Sequence, residues 1–196
     1  MPHREPRSVS SQAADNLVFI RSAMERSSTF TAIPGAGGVV MGAIGLAAAG
    51  IAAGQPTGDG WLATWLASAV IAAGVGLFAM TRKAHAAGLS LTGVNARRFA
   101  LGMAAPFVAG AAITYELWAV RNFTVMVPAW LLLYGAGLLT GGMFSVPIVR
   151  VIGISFMAAG LGAILTPHEW GNVWLAIGFG GLQVGFGIHI MRNHGG

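Results

Sequence analysis

Long apolar runs separated by short polar or Gly- and Pro-containing turns fill the chain from about residue 37 onward. Lipid offers no partner for a backbone N–H or C=O, so a spanning segment must be a helix of about 20 mainly apolar residues. Six segments meet that demand: residues 37–53, 61–80, 99–113, 128–146, 151–165 and 173–191. The fourth run could open at Phe123, but Pro is favoured at the first helical position, and this places its start at Pro128. The pattern predicts an all-α integral membrane protein with six transmembrane helices. Residues 1–36 form a cytoplasmic N-terminal segment, 37–191 the bundle and 192–196 a cytoplasmic tail. Within the first segment, Ala13, Leu17, Ile20 and Met24 share a helical stripe flanked by Arg21 and Arg26. That spacing predicts an amphipathic helix lying on lipid or docked on the bundle. The first apolar run follows roughly 30 polar or mixed residues, too late and too long for a cleavable signal sequence.

Composition supports the pattern. Of 196 residues 55% are hydrophobic and only 9% charged, against roughly 25% charge in a soluble domain. The inventory therefore excludes an ordinary soluble enzyme and a disordered tail. Cys is absent, which removes disulfides, thiolate metal ligands and cysteine nucleophiles. The net charge of +5 invites a nucleic-acid reading, but its distribution argues otherwise. Arg4, Arg7, Arg21, Arg26, Arg82, Lys83, Arg97, Arg98, Arg150 and Arg192 can share one side of a membrane, leaving Arg121 alone on the other. This asymmetry is the positive-inside bias and predicts a bacterial inner-membrane protein with both termini cytoplasmic. The expected partner is the lipid bilayer rather than nucleic acid, with a homo-oligomer or a membrane partner left open.

The chain also reads as three helical hairpins. Gly42, Gly102 and Gly153 stand early in the odd spans; Gly50 and Gly110 follow in the first two, while Leu161 is flanked by Gly160 and Gly162 in the third. Each even span opens with Trp-Leu, at Trp61-Leu62, Trp130-Leu131 and Trp174-Leu175. This Gly-marked pattern over about residues 38–191 resembles the HdeD-like acid-stress membrane proteins. The segments from Asp15 to Arg21 and from Phe30 to Gly38 are similar to a group of uncharacterised bacterial membrane proteins. The first resemblance implies a stress-response role, the second implies no activity, and neither supplies catalytic residues.

Among lipid-facing helices, small residues let backbones approach closely. Glycines four apart occur at Gly38 and Gly42, Gly137 and Gly141, and Gly181 and Gly185. On a regular helix Gly178, Gly181 and Gly185 form one stripe of the sixth span and Gly180, Gln183 and Gly187 another. Two small faces predict a central sixth helix, with Gly181 and Gly185 in a close helix contact. A bare amide in mid-membrane is costly, so Gln183 should bond across to another helix.

Candidate chemistry is sparse. The loop from Pro34 to Gly38 lacks the preceding strand and the Lys of a phosphate-binding loop. Of the five histidines only His85 and His189 share a leaflet, at helix ends, so no haem pair is indicated. No spacing identifies a metal, and no cofactor is expected. The one polar constellation lies on the outer side and comprises Asp59, Tyr115, Glu116, Arg121, His168 and Glu169. Glu116, Arg121, His168 and Glu169 are the candidate site residues there, because converging carboxylate, guanidinium and imidazole would respond to external acidification. Gln183 is the candidate polar residue of the bundle core. The leading expectation is a non-enzymatic multi-pass protein of stress-response or accessory type. The alternative is a small-solute transporter or channel with a polar outer mouth, although spans almost free of ionisable residues speak against it.

Overall fold

The computed structural model describes residues 16–18 and 30–193. Six helices in it are long and apolar enough to cross a membrane: α1 Gly35–Ala53, α2 Gly58–Ala86, α3 Val94–Ala119, α4 Phe123–Gly142, α5 Pro147–Leu165 and α6 His168–Asn193. Of the N-terminal stripe only Leu17 is described, in a helical and exposed piece at residues 16–18; Ala13, Ile20, Met24, Arg21 and Arg26 lie outside the described residues.

The helix ends follow local chemistry. Thr57 caps α2 by accepting from Gly60 N at 3.1 Å, and Asn122 caps α4 by accepting from Val125 N at 3.4 Å. That second cap corrects the expected start at Pro128. Asn122 supplies the side-chain acceptor that orphan first-turn amides require, so the helix begins at Phe123 and Pro128 sits inside it. At the other end of α2, Gly88 takes a left-handed φ of 63°. Its N–H returns to His85 O, and that of Leu89 to Ala84 O. This paired closure satisfies the last carbonyls.

Four helices form the packed centre. α1 pairs closely with α6 and α4 with α5, while α6 also touches α4 and α5; α2 is carried chiefly by α1, and α3 by α4. Glycine makes the two close pairings. A Cβ on Gly42 would lie 2.7 Å from Val184 N and 2.8 Å from Gly180 O, and one on Gly187 would lie 2.6 Å from Val39 N. Between α4 and α5, Gly135 and Gly153 face each other's carbonyls at 2.6 and 2.7 Å on the same test. Backbones that near each other gain dispersion contacts no larger residue would permit.

The sixth helix does sit between neighbours on two sides: the expected Gly180 and Gly187 stripe faces α1, but Gly181 and Gly185 of the other stripe do not pack. Gly178 packs against Leu131 and Phe156, and Gly180 against Leu46, whereas a Cβ on Gly185 would meet nothing within 4 Å and one on Gly181 only its own helix. The expected Gly181 and Gly185 contact is therefore wrong, since both are exposed. The reason is local: Ala176–Leu182 is a π-helix, whose i→i+5 pairing widens each turn. A stripe drawn at the ordinary helical period loses its register across it.

Residues 30–34 cross the end of the bundle where Arg82, Lys83, Arg97, Arg98, Arg150 and Arg192 gather. Phe30 N donates to Phe144 O at 2.9 Å, Ser145 Oγ donates to Phe30 O, and the Phe30 ring meets Phe99 at 5.2 Å. Lys83 Nζ donates to Ile33 O at 3.0 Å. Phe30 and Ala32 are buried. This short strap belongs to the bundle even though it precedes the first span.

Candidate functional site

The polar chemistry collects at the opposite end, built from the start of α2, the end of α3 and the start of α6. α3 closes as α2 does, with Arg121 N bonded to Trp118 O and Asn122 N to Leu117 O. Here the left-handed position is held by Arg121 at φ 59°, a conformation few non-glycine residues adopt. Its guanidinium donates to both oxygens of Asp59, at 2.7 and 2.8 Å. Trp118 Nε1 donates to Asp59 Oδ1 at 2.9 Å, and the guanidinium lies over the Phe123 ring, 5.2 Å from its centroid. Hydrogen bonding to Asp59, then its charge, raises the Arg121 pKa above the ordinary value. Asp59 in turn occupies the first turn of α2, where the helix dipole favours a negative charge. The fork clips α2 to α3, whose main packing partners differ.

Below this clip lie four indoles, those of Trp61, Trp65, Trp130 and Trp174, and the N–H of each has an acceptor. Trp130 Nε1 donates to Thr114 Oγ1 at 2.8 Å, and Thr114 bonds back to Gly110 O. Trp174 Nε1 donates to Thr166 Oγ1 at 2.7 Å, and Thr166 bonds back to Gly162 O. Thus Gly, a Thr four residues later and the Trp of the next helix recur as one device in two hairpins. Trp61, which follows α1, has no such Thr partner; it stacks on Trp130 at 5.5 Å and donates to Asn172 Oδ1 at 3.4 Å. Asn172 also accepts from Trp65 Nε1 at 3.1 Å and donates to Ala49 O at 2.7 Å. One amide thereby joins α1, α2 and α6.

Deeper still, Gln183 Nε2 donates to Tyr134 Oη at 2.7 Å, linking α6 to α4. The Tyr134 ring packs against Phe156 at 4.7 Å, Phe179 at 5.1 Å and Phe107 at 5.9 Å. Among the described residues, every buried side-chain nitrogen or oxygen has a hydrogen-bond partner. Two open concavities lie on the surface: one of about 290 Å³ runs along Gly181, Gly185 and His189 of α6, and one of about 300 Å³ lies at the start of α3.

The structure does not assemble the expected trio of Glu116, Arg121 and His168. Asp59 occupies both terminal nitrogens of Arg121, because the left-handed backbone at Arg121 brings its side chain to α2 and a carboxylate matches the guanidinium fork. Glu116 is exposed on α3, and His168 and Glu169 are exposed in the 3₁₀ turn that opens α6. Among the described residues, no group of three or more His, Asp or Glu could hold a metal ion. Sequence reasoning placed Asp59 in the outer constellation without seeing it as the partner of Arg121, and it missed Asn172 and Tyr134. Asn172 could have been flagged as a lone amide between Trp170 and Trp174, facing indoles that need acceptors. No family model, curated protein or solved structure matches this chain.

Proposed function

We propose that this chain is a non-enzymatic multi-pass protein of a bacterial inner membrane, of stress-response or accessory type, with its basic end and both termini cytoplasmic. The observation that carries the reading is the closed pair of Gln183 and Tyr134. The mid-bundle amide is turned onto a phenol amid three Phe rings, whereas a solute path past Gln183 would need that amide open to water. Glycine backbones pressed together between α1 and α6 and between α4 and α5 speak for a core built to pack. The HdeD-like pattern, with its implied stress role, supports the same class.

The three-hairpin repeat belongs to this proposal. It is favoured by the recurring Gly, Thr and Trp device and by the burial of Leu62, Leu131 and Leu175 after each Trp. Against strict equivalence, Gly42 packs on α6 and Gly153 on the preceding α4, but Gly102 on the following α4.

The test is permeability. Proteoliposomes containing the purified chain should shrink and re-swell in gradients of glycerol, urea and small ions no faster than empty vesicles, and should hold a pH gradient equally well. Solute flux above the empty-vesicle rate that Gln183→Leu abolishes would overturn the reading in favour of a transporter.

A further inference from the structure

The start of α3 has an electrostatic arrangement that helix physics disfavours. The helix is 26 residues long, its N-cap is Gly93 without a side-chain cap, and its first turn has no acidic residue. One turn in, Arg97 and Arg98 stand side by side. The positive end of a helix dipole and two arginines beside it repel, whereas an anion there is attracted by both. The described carboxylates cannot supply it: Asp59, Glu116 and Glu169 all lie at the far end of the bundle.

The surroundings specify what kind of anion fits. Arg97, Arg98, Thr92, Val94 and Leu101 line a groove of about 300 Å³. Val94, Arg97, Arg98 and Leu101 follow the three- and four-residue spacing that places side chains on one helical face. The opposite face is turned inward, with Ala96 and Phe99 buried. On the groove side Val94 is 50% exposed, Leu101 60% and, two turns further into the apolar span, Val108 70%. Arg98 is held over the Phe144 ring at 5.6 Å, which fixes a guanidinium at the rim. A cationic cup at the helix end, continuous with an exposed apolar stripe descending the same helix, complements an amphiphile with an anionic head.

We propose that this groove binds an anionic phospholipid of the leaflet meeting the basic end, its phosphate held by Arg97 and Arg98 and an acyl chain lying along Leu101 and Val108. Thr92 adds a hydroxyl at the rim, where it bonds Ser90 at 2.9 Å. Basic pockets at a membrane face recognise such headgroups through the same chemistry, and Arg is suited to phosphate by its planar fork.

The purified full chain, given equal phosphatidylglycerol and phosphatidylcholine of matched acyl chains, should retain the former preferentially in native mass spectrometry. Arg97→Gln and Arg98→Gln should each reduce that preference roughly fivefold, while Arg192→Gln, at the same end but outside the groove, should leave it intact. Leu101→Gln, which keeps both arginines, should weaken retention of phosphatidylglycerol itself. Thermal midpoints of the variants in phosphatidylcholine alone should match the parent, which separates lost binding from lost folding. A preference unchanged in both arginine variants, or equally reduced by Arg192→Gln, would overturn the proposal. So would displacement of the lipid by millimolar inorganic phosphate, which would mark a free-anion site. A preference that emerges only when Glu5, Asp15 and Glu25 are neutralised would assign the groove to the chain's own N-terminal segment, and also overturns it.

Discussion

Replacing Gly187 by Ala and, separately, Gly185 by Ala isolates the energy of backbone approach between α1 and α6. The two positions lie half a turn apart on one helix, yet their surroundings are opposite. A Cβ at Gly187 would stand 2.6 Å from Val39 N and 2.9 Å from Gly35 O, whereas one at Gly185 would meet nothing within 4 Å. Ordinary contact begins near 3.4 Å, so from 2.6 Å the shortfall is about 0.8 Å. The obstacle is backbone rather than the tip of a flexible side chain, so relief requires moving α1 as a body. That movement also loosens Gly35 and Gly42, which face α6 in the same seam. Overpacking of this kind costs about 1–3 kcal/mol. The gain in helix preference from Gly to Ala, up to about 1 kcal/mol, is common to both variants and cancels in the comparison. The Gly187 variant should therefore be about 1–3 kcal/mol less stable than the Gly185 variant, roughly 5- to 150-fold in the folded-to-unfolded ratio. Reversible unfolding in mixed micelles, followed by Trp fluorescence, measures the difference. Equal stability of the two variants would refute the assignment of the α1 and α6 seam, and a Gly185 variant weaker than the Gly187 variant would restore the Gly181 and Gly185 contact expected from periodicity.

Three further outcomes follow from the geometry. In a double-mutant cycle, Tyr134→Phe and Gln183→Leu should couple by about 0.6 kcal/mol and at most about 1.7 kcal/mol, the range for hydrogen bonds between membrane helices; zero coupling in the unfolding equilibrium would separate the pair. Arg121→Gly should unfold at a higher temperature than Arg121→Ala, because both lose the Asp59 clip but only Gly occupies φ 59° without a Cβ penalty; the reverse order would show that backbone strain does not operate there. Single Cys residues at positions 57, 90 and 169 of a chain without native Cys should label with an impermeant thiol reagent from outside cells at 57 and 169 but not at 90, and the opposite pattern would invert the proposed topology.

What the amino-acid sequence determined by itself is what depends on local composition and on the solvent. Six apolar runs had to become helices because lipid leaves no other way to satisfy their backbone, and all six expected spans fall within observed helices except for the last residues of the fourth, which ends at Gly142. The left-handed closure at Gly88 is likewise local, because glycine takes that φ without a Cβ penalty. Which faces meet was another matter. Glycine at period four marks a face that can pack, not a partner, and the π-turns of Ala176–Leu182 shift the register that any regular wheel assumes. The Arg121 pair depended on a left-handed backbone at a residue that rarely takes one, and on α2 and α3 arriving together, neither visible in spacing. Asp59 lies 62 positions from Arg121, and Asn172 lies 123 from Ala49. Contacts at such separations are chosen by how whole helices stack, since in an apolar chain many seams are nearly equal in hydrophobicity and only close packing, with polar groups satisfied, distinguishes them.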